Sequence, residues 1–453
     1  MAQGGGGDVM LGLPAEVVVA VIGGLYALLA LLNPRAALYV IPPAMALGPE
    51  LPLGSVSVRP EDLMLVVLVV GWLLRRAGTS RIPTPLDRPL VLYAAVGVIA
   101  TLWGAAIGTA NLWSTHPWSA SGFHALKRIE LVLLFFMLTD SVHTVDDARR
   151  LVYVFMASLA GLSAYSLTRF YDTGHIALGP EGTPIHEPGL AAMLNVGLAL
   201  GFLVTSRRFA TSVLFGGVLL GSLYVLPHSL GRNFIVATAA MLLLVGLSRK
   251  RVILLVLPVA WVIAPLVFPE HVVARIQSLR YAFVETPYTK TYGAGVNLAQ
   301  RIEPSLYYLS QSLPTSPVFG WGLASVSLGS IDNEYALQLV TTGIVGFVVF
   351  GWMVVVLVRT TRAAHRTAQA AGSPGLPIIA GLQHCLVGYG LYSLFSPSIS
   401  AARAGAFFFL IVGLVAVVYR CVQEVAPDVK PVRKVLGRPE FDPRRLEGAW
   451  RSA

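Results

Sequence analysis

Apolar stretches of about 20 residues recur along the whole chain, and each is long enough to cross about 30 Å of hydrocarbon. This pattern constrains the fold more than any other feature. A backbone inside lipid must satisfy its own hydrogen-bonding groups, and a helix does so within one segment. The runs cover roughly residues 15–33, 36–48, 61–75, 89–107, 125–140, 150–171, 189–205, 211–227, 232–248, 252–268, 335–358, 375–395 and 402–420. Of the 453 residues, 55% are hydrophobic and 12% charged, about half the charge of an ordinary soluble domain. The expected fold class is an all-α polytopic membrane protein with about 12–13 transmembrane helices.

The net charge of +10 raises the question of a nucleic-acid partner. The placement of the charges answers it, because Lys and Arg gather in alternate loops, as the positive-inside rule requires. Arg75, Arg76, Arg81 and Arg88 mark one cytoplasmic loop, and Arg149–Arg150, Arg207–Arg208 and Arg249–Arg251 mark three more. Arg359, Arg362 and Arg366 mark another, and the tail adds Lys430, Arg433, Lys434, Arg438, Arg444 and Arg445. No nucleic-acid partner is expected, since no compact domain presents a basic face. The C-terminus is expected in the cytoplasm. The segment 36–48 contains Pro42–Pro43 and leaves two counts open: thirteen helices with the N-terminus outside, or twelve with a broken piece and the N-terminus inside.

The chain divides into N-terminal transmembrane helices (1–268), one large extracytoplasmic loop (269–334), C-terminal transmembrane helices (335–421) and a cytoplasmic basic tail (422–453). Within the loop, apolar spacing at Ile302, Leu306 and Leu309 predicts an amphipathic helix over Arg301–Leu313. Pro314 is expected to stop it, and a turn-rich Pro317-Val-Phe-Gly-Trp-Gly322 follows. Met1–Asp8 is Gly-rich without a basic n-region, so no cleaved signal peptide is expected. Cys385 and Cys421 offer neither a disulfide framework nor metal-ligand spacing. Walker, G-x-G-x-x-G and H-E-x-x-H motifs are absent from the sequence, and no cofactor or metal is expected.

Four polar clusters lie on the side away from the basic loops: Pro227 to Asn233, Asn297 to Arg301, Ile331-Asp332-Asn333-Glu334-Tyr335, and Ser400 to Arg403. Each has a plain structural account. An arginine at a helix end snorkels to headgroups, Asp332-Asn333 before an apolar run caps a helix, His228 and His186 are polar loop residues, and Lys127-Arg128 anchor headgroups. Their convergence suggests more. Arg232, Arg301 and Arg403 break the positive-inside pattern, and guanidinium groups in a partly desolvated cleft suit a diphosphate. Such groups stabilise the charge that develops as a diphosphate leaves. Asp332, or Glu334 in reserve, would then accept the proton of an attacking hydroxyl. His228, Asn333, Tyr335, Lys127 and Arg128 complete the candidate substrate-binding set.

The chain resembles the O-antigen ligase and O-antigen polymerase superfamily of bacterial surface polysaccharide assembly over roughly residues 61–420. Ser229-Leu230-Gly231-Arg232 stands where that family has an arginine at the outer end of a mid-chain span. Arg301 followed by Pro317-Val-Phe-Gly-Trp-Gly322 stands where it has a second arginine ahead of an amphipathic helix and a P-x-x-G-x-G-like turn. Asp332-Asn333-Glu334-Tyr335, then Gly343-Ile-Val-Gly346, matches its H-N-x-hydrophobic and G-(I/L)-x-G elements, and Arg403 matches a recurrent arginine before the final helix. The ligases have His where this chain has Asp332, and the polymerases have no strict requirement for it, so the polymerase branch is favoured.

The resemblance implies a GT-C-like, metal-independent, inverting glycosyltransferase in the bacterial cytoplasmic (inner) membrane, with its active site facing the periplasm. It would polymerise undecaprenyl-diphosphate-linked oligosaccharide units. Membrane lipids surround it, and a chain-length regulator or flippase of the same pathway is a candidate partner. The alternatives are a ligase that moves the glycan to lipid A-core, another lipid or a protein, a transporter of a lipid-linked sugar or small anion, and a scaffold for the assembly machinery.

Overall fold

The computed structural model describes residues 9–10, 13–49, 51–53, 56–76, 82–109, 117–173, 179–180, 187–206, 208–229, 231–248, 251–277, 298–326 and 330–425. His186, Arg280, Glu285, Lys290, Asn297, the tail from residue 426, and the side chains of Arg275 and Arg301 lie outside the described residues.

Helices account for almost all the secondary structure. They are α1 (Ala15–Leu32), α2 (Pro34–Leu38), α3 (Ile41–Leu47), α4 (Pro60–Arg76), α5 (Asp87–Ala106), α6 (Pro117–Ser141), α7 (Val145–Thr173), α8 (Glu187–Thr205), α9 (Phe209–His228) and α10 (Arg232–Ser248). A 3-10 turn at Arg251–Leu255 runs into α11 (Val256–Val267). Then come α12 (Glu270–Gln277), α13 (Leu298–Thr315), α14 (Glu334–Ala370), α15 (Leu376–Tyr392) and α16 (Ala402–Val425). Two short antiparallel hairpins precede α1 and α4.

Six of these helices, α5, α7, α8, α9, α14 and α16, are long and apolar enough to cross a membrane, and shorter apolar stretches lie in α1, α10, α11 and α15. The chain is a multi-pass membrane protein. Apolar side chains such as Leu63, Val66 and Leu74 on α4, Leu214 and Leu220 on α9 and Leu266 on α11 are exposed. In water so much bare apolar surface would drive association, whereas in a bilayer it meets lipid. Helices α8 and α16 are the buried axis of the bundle, 83% and 94% covered over their apolar windows, against 22% for α9. Small residues allow α8 this position. Gly197 and Gly201 lie four apart on the face that meets α15, and a Cβ at Gly201 would stand 2.2 Å from the Gly381 nitrogen. Close backbone approach at a small-xxx-small face is how helices gain packing where lipid is as apolar as leucine.

The broken segment 34–47 has a definite path. Arg35 pairs with Asp147 at the start of α7, while Gly48, just past α3, accepts a hydrogen bond from Arg403 at the start of α16. The segment therefore runs from the arginine-rich end of the bundle to the opposite end. At the arginine-rich end Arg420 donates to the Thr139 and Val142 carbonyls that close α6. Partial burial, then Arg420 and Arg35, push His143 in the adjoining turn below the usual imidazole range.

Helix α14 breaks at Gly343, where φ is 65° and ψ −169°, a combination open essentially to glycine alone. The break exposes backbone groups inside the bundle, and the Pro317–Gly322 turn pairs with four of them. Trp321 N donates to Val340 O and Gly322 N to Thr341 O, while Ile344 N donates to Pro317 O and Val345 N to Val318 O. Irregular backbone at membrane depth is tolerated where protein covers it in this way. The two glycine-bearing motifs noticed in the sequence are thus halves of one joint. A Cβ at Gly343 would meet Val318 O at 2.3 Å and Gly320 N at 2.5 Å. Gly343→Ala is expected to cost about 1–3 kcal/mol in backbone strain and a similar amount in overpacking. The readout is a lowered thermal midpoint in detergent.

The amphipathic helix of the loop is present as α13, beginning at Leu298 and carrying Pro304 and Pro314 inside it rather than stopping at Pro314. Its inward stripe differs from the expected one. Ser305 and Ser312 are buried, and Tyr308 and Leu309 pack on Trp321, Val326 and Ile331, whereas Ile302 and Leu306 are exposed. The serines bring α13 close to its support and leave the larger apolar side chains outside.

Candidate functional site

At the end of the bundle opposite the arginine-rich loops lies a cavity of about 210 Å³. Helix α6 supplies Phe123, His124, Lys127, Arg128 and Leu131 to its wall. Positions 124, 127 and 128 share one helix face because three- and four-residue steps return to the same side. Tyr93 comes from α5, Leu337 and Thr341 from the first part of α14, Ser400 from the turn before α16, and Leu323 and Ala324 from the turn bound into the α14 break.

The two cations in the wall are both buried, with 6% and 8% of Lys127 and Arg128 exposed, and they differ in their partners. Lys127 is bound by two carboxylates, Asp62 and Glu130, the latter at 3.2 Å. Arg128 has no carboxylate partner among the described residues. Its guanidinium lies 4.2 Å from the Tyr93 ring centroid and donates to Gln338 Oε1 at 3.4 Å. A stacked guanidinium beside an aromatic face is a favourable cation–π contact, yet it leaves the charge uncompensated in a poorly solvated place, which is costly. Gly97 makes room for the side chain, since a Cβ there would stand 2.7 Å from Arg128 Cδ and 3.0 Å from Nη1. Gly97→Ala is therefore expected to push Arg128 off Tyr93. If the cavity is a reaction site, the rate should fall about 10- to 100-fold while the thermal midpoint stays near wild type, measured side by side.

Glu334 is fully buried and works as a clamp. Oε2 accepts from Ile399 N (2.9 Å) and Ser400 N (3.1 Å), and Oε1 accepts from Ser400 Oγ (2.7 Å) and Gln338 Nε2 (2.7 Å). Gln338 also reaches the Tyr93 hydroxyl, so the clamp fixes the groups that orient Arg128. Asn333 caps α14 by accepting from Ala336 N and donates to Leu394 O. The Tyr335 hydroxyl donates to Gly390 O. Together these three residues tie the start of α14 to the 390–400 turn. Asp332 points elsewhere and lines a second cavity of about 200 Å³ with Ile302, Leu306, Leu309 and Phe395.

Arg403 is 1% exposed and does not line the Arg128 cavity. It pairs with Glu187 at the start of α8. Glu187 also lies 3.5 Å from Arg59, which stands 3.8 Å from Glu61. This buried ion network joins the N-terminal ends of α4, α8 and α16. His228 is buried among Phe170, Tyr224 and Phe268, with Nδ1 2.8 Å from Tyr224 O. Arg232 is half-buried at the first position of α10, and Arg301 sits on α13 with its side chain outside the described residues.

Of the sequence-predicted residues, the structure thus places Lys127 and Arg128 on one cavity wall, with Glu334 behind it. It does not bring Arg232, Arg403, His228 or Asp332 to that wall. Sequence reasoning missed His124, Tyr93, Gln338 and the carboxylates Asp62, Glu130 and Glu187. The spacing His124-x-x-Lys127-Arg128 was the available signal for the first. No protein-family model matches this chain, and no curated protein does.

Proposed function

We propose that the protein is a glycosyltransferase that polymerises polyprenyl-diphosphate-linked oligosaccharide units at the outer face of the bacterial cytoplasmic membrane. The observation that carries this reading is Arg128, a buried guanidinium without a carboxylate partner among the described residues, held over Tyr93 at the edge of a cavity. A diphosphate supplies the missing negative charge and fits a planar donor bidentately. In the reaction, the acceptor sugar hydroxyl attacks the anomeric carbon of the donor, and the bond to the diphosphate breaks with its electron pair leaving on the diphosphate. A preorganised cation at that oxygen stabilises the charge as it forms. Lys127 stands beside it, and its two carboxylates fix its position. Arg403 keeps a structural place in this account, and Arg232 and Arg301 remain candidates for contacts with the lipid-linked diphosphate nearer the membrane surface.

The full chain in proteoliposomes, given lipid-linked oligosaccharide alone, is expected to yield a ladder of longer glycans. Transfer only when lipid A-core, another lipid or a protein is added would make it a ligase. Counterflow of unaltered substrate with no new glycosidic bond would make it a transporter and end the enzyme reading.

A further inference from the structure

Glycosyl transfer of this kind needs a group that takes the proton of the attacking hydroxyl, and the cavity wall restricts the choice. Asp332 opens onto the second cavity. Both oxygens of Glu334 accept hydrogen bonds from Ile399, Ser400 and Gln338, and Glu334 does not line this cavity. Lys127 is a cation held by Asp62 and Glu130, and a guanidinium such as Arg128 accepts no proton. Ser400 donates to Glu334, and the Tyr93 hydroxyl receives Gln338 Nε2.

His124 remains. It lines the cavity one turn before Lys127 and Arg128 on the same face of α6. Its ring makes an edge contact with Phe123, with centroids 6.0 Å apart, and among the described residues neither ring nitrogen has a hydrogen-bond partner. The charged groups around it among the described residues are Lys127 and Arg128 on its own helix, Glu130 of the same helix and Asp62 of α4 behind Lys127, and Glu334 of α14 behind Gln338. Burial, then the Arg128 cation, holds His124 below the usual imidazole range, and a neutral imidazole keeps one nitrogen able to accept a proton.

We infer that His124 is the proton acceptor of the reaction, a role that rests on the glycosyltransferase reading above. The acceptor O–H proton passes to the unprotonated ring nitrogen as the oxygen bonds to the anomeric carbon. The diphosphate leaves with the electron pair of the broken bond, against Arg128. One cavity then holds the base and the anion site within two turns of a single helix.

The test compares the wild-type full chain with His124→Gln and His124→Asn in single-turnover transfer from lipid-linked oligosaccharide. Undecaprenyl diphosphate affinity and thermal midpoint are measured on the same preparations. Transfer is expected to fall about 10²- to 10⁴-fold with affinity and midpoint unchanged. The decline of the wild-type rate at acid pH, set below the usual imidazole range by burial and Arg128, should vanish from the residual rate of the variants. Variants with the wild-type rate and the same acid limb would overturn the assignment. So would a loss that tracks affinity or midpoint. A wild-type protein that forms no glycosidic bond would sink the transferase reading itself, and a wild type active beside active variants sinks His124 alone.

Discussion

Arg128→Ala is expected to reduce glycan transfer about 10²- to 10³-fold, the usual loss when one preorganised donor is removed from a developing oxyanion. The protein should still insert and fold, because among the described residues the Arg128 side chain donates one hydrogen bond, at 3.4 Å to Gln338, and has no carboxylate partner to leave orphaned. Removing a buried, uncompensated cation is neutral or stabilising in the absence of ligand, so the thermal midpoint of the empty protein should hold or rise. Loss of activity with a maintained midpoint separates a ligand-binding arginine from a structural one. Arg128→Lys should recover little, since an ammonium neither stacks flat on Tyr93 nor presents two parallel donors. Rates from lipid-linked oligosaccharide and midpoints from the same preparations check both halves.

Arg403→Leu is expected to do the opposite. The Arg403 side chain joins α16 to Glu187 of α8 and to the backbone at Gly48, three segments distant in sequence. Removing it leaves Glu187 in a buried place with Arg59 3.5 Å away as a weaker partner. Breaking one side of a buried pair typically costs about 3–5 kcal/mol, which should appear as a much lower midpoint and poor recovery from membranes. Adding Glu187→Gln should restore part of the loss, because the remaining groups are then neutral or paired. A stable Arg403→Leu protein with weakened donor binding would return Arg403 to the substrate site.

The contrast between these two arginines explains which parts of the molecule were legible in the sequence. The helices were, because lipid demands long apolar runs: residues 232–248 were read as a span and are α10 at the same bounds. The cap at Asn333 was legible too, because its chemistry is local. The path of 34–47 was not, since Pro42–Pro43 breaks the run and only contacts with Asp147 and Arg403 fix its ends. The site was legible in part. The sequence singles out arginines away from the basic loops, but what each of them pairs with depends on carboxylates far away in the chain. Glu187 lies more than two hundred residues before Arg403, and no local pattern reveals that they meet. Asp332 and Glu334 look interchangeable in sequence. The change of backbone direction at the cap between them turns one toward α13 and the other into the bundle.

The most direct measurement is equilibrium binding of radiolabelled undecaprenyl diphosphate to the purified full chain and to Arg128→Gln, at fixed ionic strength. The account predicts saturable binding to the wild type and an affinity at least about tenfold weaker in the variant, as loss of a charge-assisted contact of about 1.5–3 kcal/mol implies. Equal affinities for the two proteins would contradict it, and would leave the cavity at Arg128 without an anionic substrate.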